Sequence, residues 1–133
     1  MTVKSLKSEK LGELAEERLA DAKALYEAKR YEGAFYICGY AVEIGLKKKI
    51  CTTLEWDEYP GVGKDSTKYA SFKTHDLEVL LHLSGAEKRK ISFMAEWSVV
   101  MKWNPEIRYS SEKQTSEDVK LMIEATETLL KKL

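Results

Sequence analysis

Apolar residues return at helical spacing from the start of the chain. Leu11, Leu14, Ala15, Leu19, Ala22, Leu25 and Tyr26 predict a first helix over about Ser8 to Ala28. Its other face carries Glu13, Glu16, Glu17, Arg18, Asp21 and Lys23, a solvated surface with near-neighbour ion pairs. A short break at Lys29–Arg30 separates it from a second segment, Tyr31 to Cys51, so the two form an antiparallel hairpin. Set at about 100° per residue, the second segment is apolar almost all the way round. Ala34, Ile37, Cys38, Ala41, Ile44 and Gly45 cover one side, and Phe35, Val42 and Leu46 extend it. Gly39 and Ile50 close most of the remainder. A helix without a polar face is a buried central helix. One stripe interrupts it: Tyr36, Tyr40, Glu43 and Lys47. A carboxylate there needs a partner, because an unpaired buried charge is costly.

The pattern dissolves over residues 55–72, where Pro60, Gly61 and Gly63 form a turn cluster, and a surface loop is expected. Thr74 is the expected cap of a short helix, HDLEVLLHL, ended by Ser84–Gly85. A fourth helix is expected over about Ala86 to Trp103 with Ile91, Met94, Trp97, Val100 and Met101 inward, stopped by Asn104–Pro105. Thr115 or Ser116 caps a last helix whose inner face is Val119, Met122, Ile123, Leu129 and Leu130. No strand signal competes. The pattern predicts an all-α, up-and-down bundle of four to five helices, a single domain over 1–133 with its core at about 8–131.

Charge and cysteine usage narrow the class. The 22 basic and 22 acidic residues cancel, which excludes a polybasic nucleic-acid clamp but not a local basic patch. Thirteen residues of helix place Cys38 and Cys51 about 20 Å apart, beyond disulfide reach. Two free, buried-type cysteines suit a reducing cytosol. No apolar run has membrane-spanning length and the N-terminus has no signal-peptide pattern, so a cytoplasmic protein without membrane contact is expected.

No phosphate-binding glycine loop, HExxH, paired CxxC or nucleophile elbow occurs. Four local features remain. Glu43 and Lys47 stand at i,i+4 in the favourable orientation for an ion pair, beside Tyr36 and Tyr40; the seam is either a packing device or one wall of a polar cleft. Lys47–Lys49 is a basic run whose simplest role is to complement the helix C-terminal dipole. His75 opens the short helix; with His82 as the only other histidine, no metal site and no cofactor are expected. In WNPEIRY, Arg108 and the aromatics follow a helix stop and can reach back over the bundle, Arg108 toward Glu43 or a phosphate.

Read together, AFYICGYAVEIGLKKKI, THDLEVLL and WNPEIRY resemble the HEPN family (higher eukaryotes and prokaryotes nucleotide-binding), over roughly Ala15 to Leu130. Ala41, Glu43, Leu46 and Lys47 match the helix-two pattern of that family. The resemblance implies a four- or five-helix bundle, commonly dimeric and tied to RNA metabolism. It also implies toxin–antitoxin or defence operons and a nucleotidyltransferase-type partner protein. Active members look like metal-independent ribonucleases with an arginine followed a few residues later by a histidine. Here Arg108 is followed by YSSEKQT, and no histidine lies downstream.

The expectation is therefore a non-catalytic domain that binds nucleotide, RNA or a protein partner through Tyr36, Tyr40, Glu43, Lys47, Arg108 and Tyr109. The alternative is a ribonuclease using His75 with Arg108 and Glu43. A homodimer is expected as well, because Trp56, Tyr59, Trp97, Trp103 and Tyr109 exceed what a small bundle need bury.

Overall fold

A computed structural model describes residues 6–60, 68–104 and 113–133. Five α-helices make up the bundle: α1 (Ser8–Glu27), α2 (Tyr31–Leu54), α3 (Leu77–Ser84), α4 (Met94–Val100) and α5 (Ser116–Lys132). Helix α2 packs against α1, α3 and α5, and α4 packs on α5. The all-α class is as the periodicity implies, and α2 is the central helix, with eleven buried residues.

Helices α1 and α2 both stop where no glycine is available. Lys29 and Glu55 take left-handed φ angles of 62° and 57°. After α1, Lys29 N–H bonds to Tyr26 O and Arg30 N–H to Leu25 O. After α2, Glu55 N–H bonds to Thr52 O and Trp56 N–H to Cys51 O. Each pair closes a helix end in the manner of a Schellman motif.

Helix α3 is capped by Asp76, which accepts from the Glu78 and Val79 amides. The expected cap, Thr74, instead accepts from the Asp76 amide. Gly85 ends α3 at φ 79°. Helix α5 has a full capping box. The Asp118 amide donates to Thr115 Oγ1, and the Thr115 amide donates to the Asp118 carboxylate. Those bonds, the Thr115 backbone bond first, hold the Asp118 carboxyl below its usual range. A depressed folded-state pKa stabilises above the unfolded value and loses its effect as pH falls. Thr115→Ala should therefore cost about 1 kcal/mol near neutrality, read by urea unfolding. As pH falls below about 4, where the unfolded carboxyl protonates, and on through the lower folded-state value, the deficit should shrink.

Two expectations are corrected. The fourth helix is split into a 3₁₀ stretch, Ala86–Phe93, and the short α4. Ile91 and Met94 do not face inward: they are 87% and 49% exposed, and Phe93 takes the interior with Trp97 and Val100. Both sets have near-helical spacing, and the interior phase is won by Phe93, whose ring stacks edge-on to Trp97. A short antiparallel ladder also exists, Leu6–Lys7 (β1) with Glu58–Tyr59 (β2). Two residues per strand leave no alternation for a sequence pattern to show. Tyr59, Trp97 and Trp103 lie in this chain's own core, and Trp56 packs between Tyr69 and Phe72. The aromatics behind the dimer expectation are consumed within the fold, apart from Tyr109, which lies outside the described residues.

Candidate functional site

Glu43 sits at the middle of α2 and is 3% exposed. Its Oε2 takes two partners: Lys47 Nζ at 3.0 Å, one helical turn on, and His75 Nδ1 at 3.0 Å, from the segment ahead of α3. Its Oε1 is buried with no hydrogen-bond partner. An ionised carboxylate only accepts, so the His75 proton in this contact lies on Nδ1. The carboxylate thus selects the tautomer that leaves Nε2 available. The His75 side chain is 59% exposed, against 17% for Lys47.

Lys47 is held by more than its ion pair. Its ammonium lies 5.3 Å from the centroid of the Tyr59 ring, a cation–π arrangement. Tyr59 is placed by the β1–β2 ladder and donates its hydroxyl to Phe72 O. Burial, first, and the neighbouring Cys51 and Glu43 push the phenol pKa up, so Tyr59 stays a neutral donor. The ladder that the sequence concealed thereby supplies one wall of the site.

Further toward the start of α2, Tyr36 donates its hydroxyl to Tyr40 at 3.1 Å, and the two rings meet edge-on. Trp103 covers this stretch. Its Nε1–H donates to Tyr36 O, and its ring meets Tyr40 edge-on at 5.2 Å. Such an approach is open only because position 39 is glycine: a Cβ there would lie 2.1 Å from the indole. The aromatics after α4 do reach back over the bundle, as expected for Trp103. Arg108 and Tyr109 lie outside the described residues.

The structure thus brings together Glu43, Lys47 and His75, with Tyr36 and Tyr40 toward the start of the same helix and Trp103 packed over them. Glu43 pairs with Lys47, as their i,i+4 spacing implies, and also with His75; the pairing of Glu43 with Arg108 lies outside the described residues. The polar seam contains both a packing element, Glu43 with Lys47, and an accessible one, the oriented His75 ring. Sequence reasoning missed Tyr59 as the base under Lys47. The clue to the contact of His75 with Glu43 is a buried carboxylate with more acceptor capacity than one lysine fills.

What this arrangement can do follows from its charges. With His75 neutral, Glu43 and Lys47 cancel and Nε2 accepts a proton. With His75 protonated, the trio carries one net positive charge and offers a donor to an anion. No group of three or more potential metal ligands occurs among the described residues. No helix among them is long and apolar enough to cross a membrane.

The two cysteines are bystanders. Cys38 donates to Thr126 Oγ1 at 3.1 Å, and burial pushes its thiol up to about 11 against the weaker pull of that bond and Lys23. Cys51 is likewise raised by burial. Both are poor nucleophiles.

No family model matches the chain, and no curated protein or solved structure is significantly similar to it.

Proposed function

We propose that this chain is a HEPN-like domain that binds a nucleotide or an RNA phosphate at the α2 seam. The observation that carries this reading is the exposed His75 imidazole, oriented by buried Glu43 beside Lys47. A fixed ring nitrogen and a nearby ammonium suit a phosphate oxygen. Tyr40 and Tyr36, one and two turns from Glu43 on the same helix, set half-buried aromatic surface beside the seam. Arg108 and Tyr109 join the proposal through the family resemblance. So do a toxin–antitoxin or defence setting, a nucleotidyltransferase-type partner and a homodimeric state.

Titrating a fluorescent oligoribonucleotide and nucleoside monophosphates against wild type, His75→Ala and Arg108→Ala tests the reading. His75→Ala should weaken binding by about tenfold or more, about 1.4 kcal/mol. Equal and negligible binding by all three proteins would remove the ligand reading and leave a protein-interaction module.

A second reading is favoured by the same dyad. A carboxylate-oriented histidine is the arrangement of a general base, so metal-independent RNA cleavage through His75 is its catalytic form. Incubating wild-type protein with RNA in chelator separates the two. Binding without cleavage supports the non-catalytic domain; cleavage abolished by His75→Ala supports the enzyme.

A further inference from the structure

Away from the seam, α1, α2 and α5 enclose a half-open cleft of about 240 Å³. Leu130 and Leu133 line it from α5, Lys48, Lys49 and Thr52 from α2, and Gly12 from α1. We propose that this cleft is a second ligand site for a small amphipathic anion: a carboxylate or phosphate head on a short apolar body. The inference is independent of the reading given to His75.

Size, charge and shape each support it. A dry cavity of about 150 Å³ is enough to take up benzene, so this cleft holds a somewhat larger apolar body. It falls just below the roughly 300 Å³ at which sites for drug-sized ligands begin. The lysine run divides by function. Lys47 is neutralised by Glu43, whereas Lys48 donates only to Ser8 Oγ, and neither Lys48 nor Lys49 has a carboxylate within ion-pair distance. One acidic side chain, Glu16, lines the cleft, and it is exposed and bonded to neither lysine. Two part-buried ammonium groups beside leucine side chains match a head group and a tail.

Gly12 adds a separate reason. Gly39 is required by a close neighbour, since a Cβ would lie 2.1 Å from the Trp103 ring, whereas a Cβ on Gly45 would meet the end of the Leu130 side chain at 2.4 Å, which can swing aside. A Cβ on Gly12 would meet only Lys48 Cε at 3.8 Å, an ordinary contact. Packing therefore does not demand glycine there, although glycine inside a helix is unfavourable. What its missing side chain does is keep the cleft open.

Octanoate and octyl phosphate are the probes, with octanol as the uncharged control and amide chemical shifts as the readout. Either anion should shift Gly12, Gly45, Thr52 and Leu130 saturably, and octanol should bind more weakly. Comparing the two anions identifies the preferred head group. Gly12→Leu should weaken the anion by about tenfold or more. Lys48→Gln with Lys49→Gln should weaken it severalfold and bring it level with octanol. His75→Ala should leave it unchanged, which separates this site from the seam. Should Gly12→Leu fail to fold, Gly12→Ala and the lysine pair carry the comparison. No saturable shift with either anion at millimolar concentration overturns the proposal. So does binding that the cleft variants leave at the wild-type level.

Discussion

Glu43→Ala should destabilise the domain by about 3 kcal/mol, the range expected when one partner of a buried ion pair is removed. The substitution strands Lys47, whose side chain is 17% exposed, and leaves a gap in the wall of the central helix. It also removes the carboxylate that His75 Nδ1 meets. Two effects soften the loss: the Tyr59 ring still faces the ammonium, and Lys47 is long enough to move its charge toward water. Removing both charges is a different perturbation. Apolar residues of similar volume commonly replace a buried pair at little cost, so Glu43→Leu with Lys47→Leu should recover most of the stability. That double variant should still bind anions poorly, because His75 loses its orienting carboxylate. Urea unfolding of Glu43→Leu, Lys47→Leu and the double variant reads the coupling directly. If Glu43→Ala unfolds within about 0.5 kcal/mol of wild type, the pair contributes nothing to the fold, and the seam is purely a binding feature.

Gly39→Ala should lower stability by about 2 kcal/mol, although alanine is intrinsically the better helix residue by about 1 kcal/mol. The methyl would fall inside the Trp103 ring, at 2.1 Å, and overpacking of this kind costs about 1–3 kcal/mol. Trp103 is a rigid ring buried to 3% exposure and tied by Nε1–H to Tyr36 O. It has to leave its seat before the methyl fits. The substitution should therefore shift tryptophan emission toward the red and break the Trp103–Tyr40 contact. The same change at Gly12 is an internal control, since a Cβ there meets nothing closer than 3.8 Å. A Gly39→Ala protein as stable as wild type, with unaltered emission, would contradict the account of Trp103.

Much of the bundle was legible because helices announce themselves through spacing. The α1–α2 hairpin, its break near Lys29–Arg30, the Gly85 stop and the Thr115 cap are all local, and local rules placed them. The failures have physical causes. Ile91 and Phe93 are both large, apolar and consistent with a helical phase; which one enters the core depends on Trp97 and the helices beneath it. The β1–β2 ladder joins residues some fifty positions apart through backbone groups, and backbone hydrogen bonds leave no mark on side-chain identity. Lys29 and Glu55 adopt glycine-like angles because the surrounding hydrogen bonds impose them.

The candidate site divides along the same line. Periodicity alone determined that α2 is central, that its apolar surround is broken by Tyr36, Tyr40, Glu43 and Lys47, and that the carboxylate needs a partner. All three follow from residue chemistry and the 100° helical step. Only the tertiary structure decided that His75 is a partner of Glu43, that Tyr59 lies under Lys47, that Trp103 rests on Gly39, and that a cleft opens beside Gly12 and Gly45. The reason is sequence distance. A helix fixes neighbours three and four residues away, whereas 32 residues separate His75 from Glu43. Contacts that remote are set by how the elements pack around their shared core, not by any local rule.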